Sequence, residues 1–343
     1  MPRGLRMIVV ALLVIAMVFC GIWWSGALWY RLPVGPYGRY AAIAGWLLLS
    51  LGTIVVLLRG DWRPLLLYAA VFVGLSLWWT TIRPSNDREW ADDVGRMLSA
   101  EINGNSVTLH NVRNFEWRTE TDYTPRWETR RYDLATLTSV DMVLSYWGRP
   151  AIAHTLVSFG FADGQFVVFS VEIRKEKTES FSEIGGFFKE FETSIVAADE
   201  RDIVRLRPNV RGEDTYIYRI RMSKEAARSL FLAYAEAANA LTQRPRFYNT
   251  ITANCTTIVY EMVNRIVPGL PMDYRLVLSG YLPEYIHDVG GLDTNTSVAE
   301  LRKRGRITER AIAADKSPDF SNAIRANVPG IPVPTTAITD GNR

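Results

Sequence analysis

Cysteine and histidine are scarce in this chain: 343 residues hold two of the first and three of the second. Cys20 falls inside an apolar N-terminal run, so the globular part has one thiol, Cys255, and can form no internal disulfide. A single thiol with His110, His154 and His287 scattered along the chain gives no zinc-ligand spacing. No phosphate-cradling glycine loop and no dinucleotide glycine pattern occurs. A net charge of +3 leaves no electrostatic footprint for nucleic acid. No metal, cofactor or nucleic acid is therefore expected, and no internal repeat is visible.

What the chain has instead is apolar length. Three runs open it, about Met7 to Tyr30, Ala41 to Leu58 and Leu65 to Ile82, and none contains a charge. Each is near the roughly 20 residues that cross a ~30 Å hydrocarbon core. Trp23, Trp24 and Trp29 end the first and Trp78 and Trp79 the third, as interfacial aromatic belts do. The first run is long for a signal peptide, and bulky Phe19 before Cys20 spoils a lipobox, so it reads as a retained helix with an unacylated cysteine. Arg3, Arg6, Arg59 and Arg63 favour an inside N-terminus against Arg31 and Arg39, which puts everything after Ile82 outside the cytoplasm. The expected division is a membrane anchor at 1–83, an extracytoplasmic α+β domain at 84–316, and a disordered tail at 317–343 rich in Pro, Ala, Thr and Asn.

Within the domain, 86–98 reads as a short amphipathic helix with Trp90, Val94 and Leu98 on one face. Val107 to Trp117 and Val140 to Trp147 read as strands, with a charged loop from about Thr119 to Arg131 between them. His154–Phe161 and Phe166–Ile173 flank Ala162-Asp163-Gly164-Gln165, a strong hairpin signal. A three-residue loop with Gly164 in the left-handed region sets His154 opposite Glu172, on one face; a two-residue turn would pair His154 with Ile173 instead. The first register suits Gly164. Thr193–Ala197, Ile203–Leu206 and Thr215–Met222 read as further strands, with Glu200-Arg201-Asp202 in a turn. Ser223 caps a helix to about Leu241. Asn254 caps the Cys255 helix, which runs to about Val267, stops at Pro268-Gly269, and is apolar over an arc wide enough to be central. Arg302-Lys303-Arg304-Gly305-Arg306 is a basic cluster, read as solvated tail or as a contact for anionic headgroups.

A capped helix start lowers a thiol pKa, which makes Cys255 a candidate nucleophile. His154 is its candidate base, and Glu172 the group that orients the imidazole and stabilises its charged form. Backbone N–H groups at the helix start can meet a developing oxyanion, with Asn254, Thr256 and Tyr248 as supporting residues. The plain alternative is a buried structural cysteine and a satisfied strand histidine; His110 and His287 are read as structural.

Several segments together resemble one family. They are Val112-Arg113-Asn114-Phe115, Ala153 to Phe159, Ser170 to Arg174, Glu200-Arg201-Asp202, and Tyr248-Asn249-Thr250 through Asn254-Cys255-Thr256-Thr257. Their order and spacing over about Asn111 to Gly291 are similar to the DUF4105 family, the N-terminal periplasmic domain of Lnb, a bacterial lipoprotein N-acyltransferase. The resemblance implies a circularly permuted papain-like (NlpC/P60-like) domain, in which the histidine precedes the cysteine. It implies thioester chemistry: Cys255 takes an acyl chain from a phospholipid and passes it to the amine of a lipidated lipoprotein, in a bacterial inner membrane with the domain facing the periplasm. Lnb-type proteins carry their membrane segments after the catalytic domain, whereas here the apolar runs precede it. Two other readings stand beside it: a cysteine hydrolase of peptidoglycan peptides or lipid esters, and a non-catalytic envelope scaffold. A polar groove beside Cys255 favours a peptidase, an apolar slot a lipid enzyme.

Overall fold

Each uncharged N-terminal run forms a helix in the computed structural model, which describes residues 3–331: α1 (Arg3–Arg31), α2 (Pro36–Leu58) and α3 (Pro64–Thr81). Pro36 and Pro64 open their helices, where a missing N–H costs nothing. The shortest has 18 residues, which at a rise of 1.5 Å span roughly 27 Å. All three are long and apolar enough to cross a membrane. Residues up to 85, with 180–192 and 247–250, make one unit; 86–179, 193–246 and the chain from 251 make the other. In the first unit, Trp46 stacks on Tyr68 at 4.9 Å, and Phe188 lies against Trp23 and Tyr30. Phe188 fits only because residue 26 is glycine: a Cβ there would come within 2.3 Å of its ring.

The second unit is built on an eight-stranded mixed sheet. Its strands are β1 (Ser99–Asn103), β2 (Ser106–Arg113), β5 (Trp127–Asp133), β6 (Leu137–Tyr146), β7 (Ala153–Phe161), β8 (Phe166–Arg174), β9 (Glu192–Ala198) and β10 (Asp214–Arg219), while β3 (Glu116–Trp117) and β4 (Tyr123–Thr124) form a separate ribbon. The order is β1-β2-β9-β8-β7-β6-β10, with β5 also on β2, and β2 runs parallel to β9. β7 is buried on both faces, so alternate residues enter different cores. Val157, Phe159 and Phe161 pack with α5 (Lys224–Gln243) and α6 (Thr257–Ile266). Leu156 joins the opposite core with α9 (Thr308–Ala313) and α10 (Phe320–Arg325). Ser223 caps α5, accepting from the Ala226 amide at 3.1 Å.

Four elements differ from the sequence reading. Residues 86–98 bury Trp90, Val94 and Leu98 but hold only a 3-10 turn at Asp92–Val94. Arg174 donates to the Val94 and Gly95 carbonyls and covers the Trp90 ring, so backbone groups that a helix would use are satisfied elsewhere. The expected loop at 119–131 contains β4 and most of β5; β5 pairs with β2 and carries Glu128, Arg130 and Arg131, charges that edge strands tolerate and that mask a strand in sequence. Residues 203–206 are not a strand, and 200–202 are helical rather than a turn. α4 (Glu200–Ile203) is capped by Asp199, and a π-helical turn follows at Leu206–Val210.

The fourth correction concerns the tail expected from 317. α10 buries Phe320, Ile324 and Arg325, with Val328 below, so the chain stays folded to Ile331, and the rest of that expected tail, 332–343, lies outside the described residues. The apolar side chains are few but recur every fourth position, enough for one buried face. The basic cluster is likewise not a tail. It ends α8 (Val298–Gly305), where Arg302 pairs with Glu284 and Arg306 with Asp214 and Glu309.

Candidate active site

The β7–β8 turn fixes the site's geometry. Gly164 has φ +85°, the Gly164 N–H donates to the Phe161 carbonyl, and the Phe161 N–H donates to the Gln165 carbonyl. This is the three-residue loop. The ladder from Gly160↔Phe166 to Leu156↔Ser170 keeps that register, which carries His154 to Glu172 two steps on. Their side chains meet, with His154 Nε2 3.0 Å from Glu172 Oε1. Ser170, two residues before Glu172 and hence on its face, lies 2.7 Å from both His154 Nε2 and Glu172 Oε1. Alternation along β8 could have flagged Ser170. Arg207, 3.5 Å from Glu172 through Nη2, had no such signal; the π-helical turn delivers it from 35 positions downstream.

Cys255 arrives from the other side. Asn254 Oδ1 accepts the Thr256 and Thr257 amides, each at 2.8 Å, and so starts α6 two residues after the cysteine. The thiol is 9 % exposed and close enough to the His154 ring for the imidazole to lower it. With Nε2 facing Glu172 and Ser170, Nδ1 is the nitrogen left for sulfur. Thr256 Oγ1 stands 3.9 Å from Sγ.

Burial opposes charge at all three groups, yet contacts overturn it. The Glu172 carboxylate, together with the hydrogen bonds to Cys255 and Glu172, pushes His154 up to about 9 in spite of burial and of Arg207. Burial raises the Glu172 carboxyl, but His154, Arg207 and the Ser170 hydroxyl hold it well below the usual carboxylate range. Burial also raises the Cys255 thiol, and the His154 hydrogen bond and charge, the Thr155 amide and the Thr256 hydroxyl bring it below its ordinary value. The arrangement favours a thiolate–imidazolium pair backed by a carboxylate.

The supporting residues divide. Asn254 is a cap that claims the Thr256 and Thr257 amides, so those two donors are not open to an oxyanion as expected; the Cys255 N–H is the helix-start donor that Asn254 leaves unclaimed. Tyr248 belongs to the first unit, where its N–H donates to the Phe191 carbonyl. His110 bonds Glu101 and Thr129 at the sheet's periphery, and His287 meets the Thr296 carbonyl.

Behind the two threonines that flank the thiol lies a cavity of about 210 Å³, between the β6–β7 face, α6 and α7 (Leu282–Asp288). Thr155 and Thr256 form its wall nearest Cys255; most of the rest is aliphatic. This cavity explains the wide apolar arc of α6. The helix is half-buried rather than central: Ile258, Met262 and Ile266 meet the core, Val259 and Val263 meet both the core and the cavity, and Val267 lines the cavity.

Residues 123–280 match the Lnb N-terminal periplasmic domain family. The match contains His154, Glu172 and Cys255 and starts after the Val112–Phe115 segment. Comparison with curated proteins and with solved structures gave no match. Together with three apolar helices able to cross a membrane, the Lnb N-terminal domain marks a membrane-anchored protein with a periplasmic domain. The Val112–Phe115 and Glu200–Asp202 segments do structural work. Asp202 is fully buried and receives Arg113 Nε at 2.8 Å and Nη2 at 3.0 Å, the Phe115 amide and the Trp117 indole, tying the β3–β4 ribbon to α4.

Proposed function

We propose that this protein is a cysteine acyltransferase of the bacterial inner membrane, with a permuted papain-like catalytic order of histidine, glutamate, cysteine. The observation that carries the reading is the buried Cys255–His154–Glu172 chain, in which the imidazole both lowers the thiol and is itself held charged by the carboxylate. The Cys255 thiolate attacks an ester carbonyl of a phospholipid; the S–C bond forms, the C–O bond breaks, and His154 gives its proton to the departing alcohol. An amine then attacks the thioester; N–C forms, C–S breaks, and the neutral His154 takes the amine proton while the thiolate leaves. The Cys255 N–H is the donor proposed for the oxyanion. The apolar cavity beside sulfur favours a lipid ester as donor, and the periplasmic family and the apolar helices support a lipidated amine, such as a lipoprotein N-terminus, as acceptor.

Intact mass spectrometry of the detergent-solubilised full chain, incubated with phosphatidylethanolamine vesicles, tests this. The expected result is one acyl adduct, labile to hydroxylamine and absent in Cys255→Ala. No adduct with any lipid, together with turnover of muropeptides, would instead make the protein a peptidase. Neither adduct nor turnover would leave a scaffold.

A further inference from the structure

We infer that the cavity along α6 holds the acyl chain of the Cys255 thioester and measures its length; this rests on the acyl-transfer reading above. The cavity starts at the two threonines that touch the nucleophile. Thr256 lines it with its hydroxyl 3.9 Å from Sγ, and Thr155, whose amide faces the thiol, lines it from β7. It then follows one stripe of α6, Thr256, Val259, Tyr260, Val263 and Val267. That spacing is a single helical face, and at 1.5 Å per residue its eleven steps cover roughly 16 Å. A long narrow space leading away from a nucleophile suits an unbranched chain better than a side chain.

The polar groups of the wall settle the chemistry of the occupant. The Thr155 and Thr256 hydroxyls lie 3.3 Å apart and satisfy each other. The Tyr260 hydroxyl donates to the Leu270 carbonyl and the Tyr285 hydroxyl to the Pro271 carbonyl, each at 2.8 Å, so both rings turn apolar faces inward. Arg221 is exposed and sits at the rim. A peptide in this space would lose water from its amides and find no partners for them. A methylene chain has no such groups to desolvate, and an apolar lining of this size accepts hydrocarbon. Val263 stands midway along the stripe and touches none of the reacting groups, so its size is what a chain of intermediate length meets.

The test uses p-nitrophenyl esters from acetyl to palmitoyl with the full chain in detergent, reading the acylation rate of Cys255 and the adduct mass. In the unaltered protein the rate is expected to rise roughly fourfold per methylene until the cavity is filled, then to level off. Val263→Trp should move that break to shorter chains and Val263→Ala to longer ones, with the acetyl ester unaffected in both. If Val263→Trp loses even the acetyl reaction through misfolding, the Val263→Ala shift decides. A break at the same chain length in all three proteins, with acetylation intact, overturns the inference and leaves the acyl-transfer reading standing. Failure of every ester, acetyl included, in the unaltered protein removes both.

Discussion

Alanine at position 154 is expected to slow acylation of Cys255 by about 10²- to 10⁴-fold. Two losses combine. The proton for the departing alcohol disappears, and so does the cation that does most to keep the thiol below its ordinary value; burial is then opposed only by the Thr155 amide and the Thr256 hydroxyl, and the thiol moves up. The pH dependence gives the finer reading. In the intact site the nucleophile is lost as pH falls through the lowered thiol value, and the proton donor is lost as pH rises through about 9, where His154 titrates. The profile is therefore a bell whose limbs belong to the coupled thiol–imidazole pair, the alkaline one responding to whatever holds the imidazole proton. Glu172→Gln removes the charge that raises His154 and leaves Arg207 facing it, so that limb should shift to lower pH. Alkylation of Cys255 by iodoacetamide across pH measures the thiolate directly. An alkaline limb that stays at about 9 in Glu172→Gln would show that the carboxylate does not act on the imidazole.

The second large effect is on stability and comes from the C-terminal helix. Arg325 is 4 % exposed and donates to Asp141 at 2.9 Å, to both Glu200 oxygens at 2.7 and 2.5 Å, and to Ser158. Arg219 shares Asp141 at 2.5 Å. Arg325→Met would strand the Glu200 carboxylate in the core and leave Asp141 with one partner. Breaking such a buried pair costs about 3–5 kcal/mol, which for a domain of this size lowers the melting temperature by roughly 10 °C. Thermal unfolding followed by near-UV circular dichroism reads it. A melt within a degree or two of the unaltered protein would mean that α10 is not part of the cooperative unit.

These two networks differ in how far they can be seen in the chain alone. The membrane helices are plain because uncharged runs of that length have few other uses. The hairpin is equally plain: Asp163-Gly164 selects the turn, the turn selects the register, and the register puts Glu172 across from His154. Ser170 follows from the same alternation. The α6 start follows from Asn254, whose carbonyl oxygen can satisfy two amides at once. All of this is local chemistry, acting over a few residues.

Arg207, Arg325 and the cavity are another matter. Arg207 reaches Glu172 only through a π-helical turn, and Arg325 reaches Glu200 across 125 positions. A buried charge in sequence looks the same as a solvated one, because what distinguishes them is a partner from elsewhere. For the same reason 317–331 reads as a tail and 203–206 as a strand. The stripe on α6 is apolar whether it meets a core or an empty space, and only the placement of α7 and the sheet leaves that face unfilled. Local propensity and turn chemistry thus determined the anchor, the hairpin and the pairing of histidine with glutamate. The assembly of distant segments alone decided that a thiol meets that imidazole, which cations hold the carboxylate, and that a hydrocarbon-sized space lies beside the sulfur.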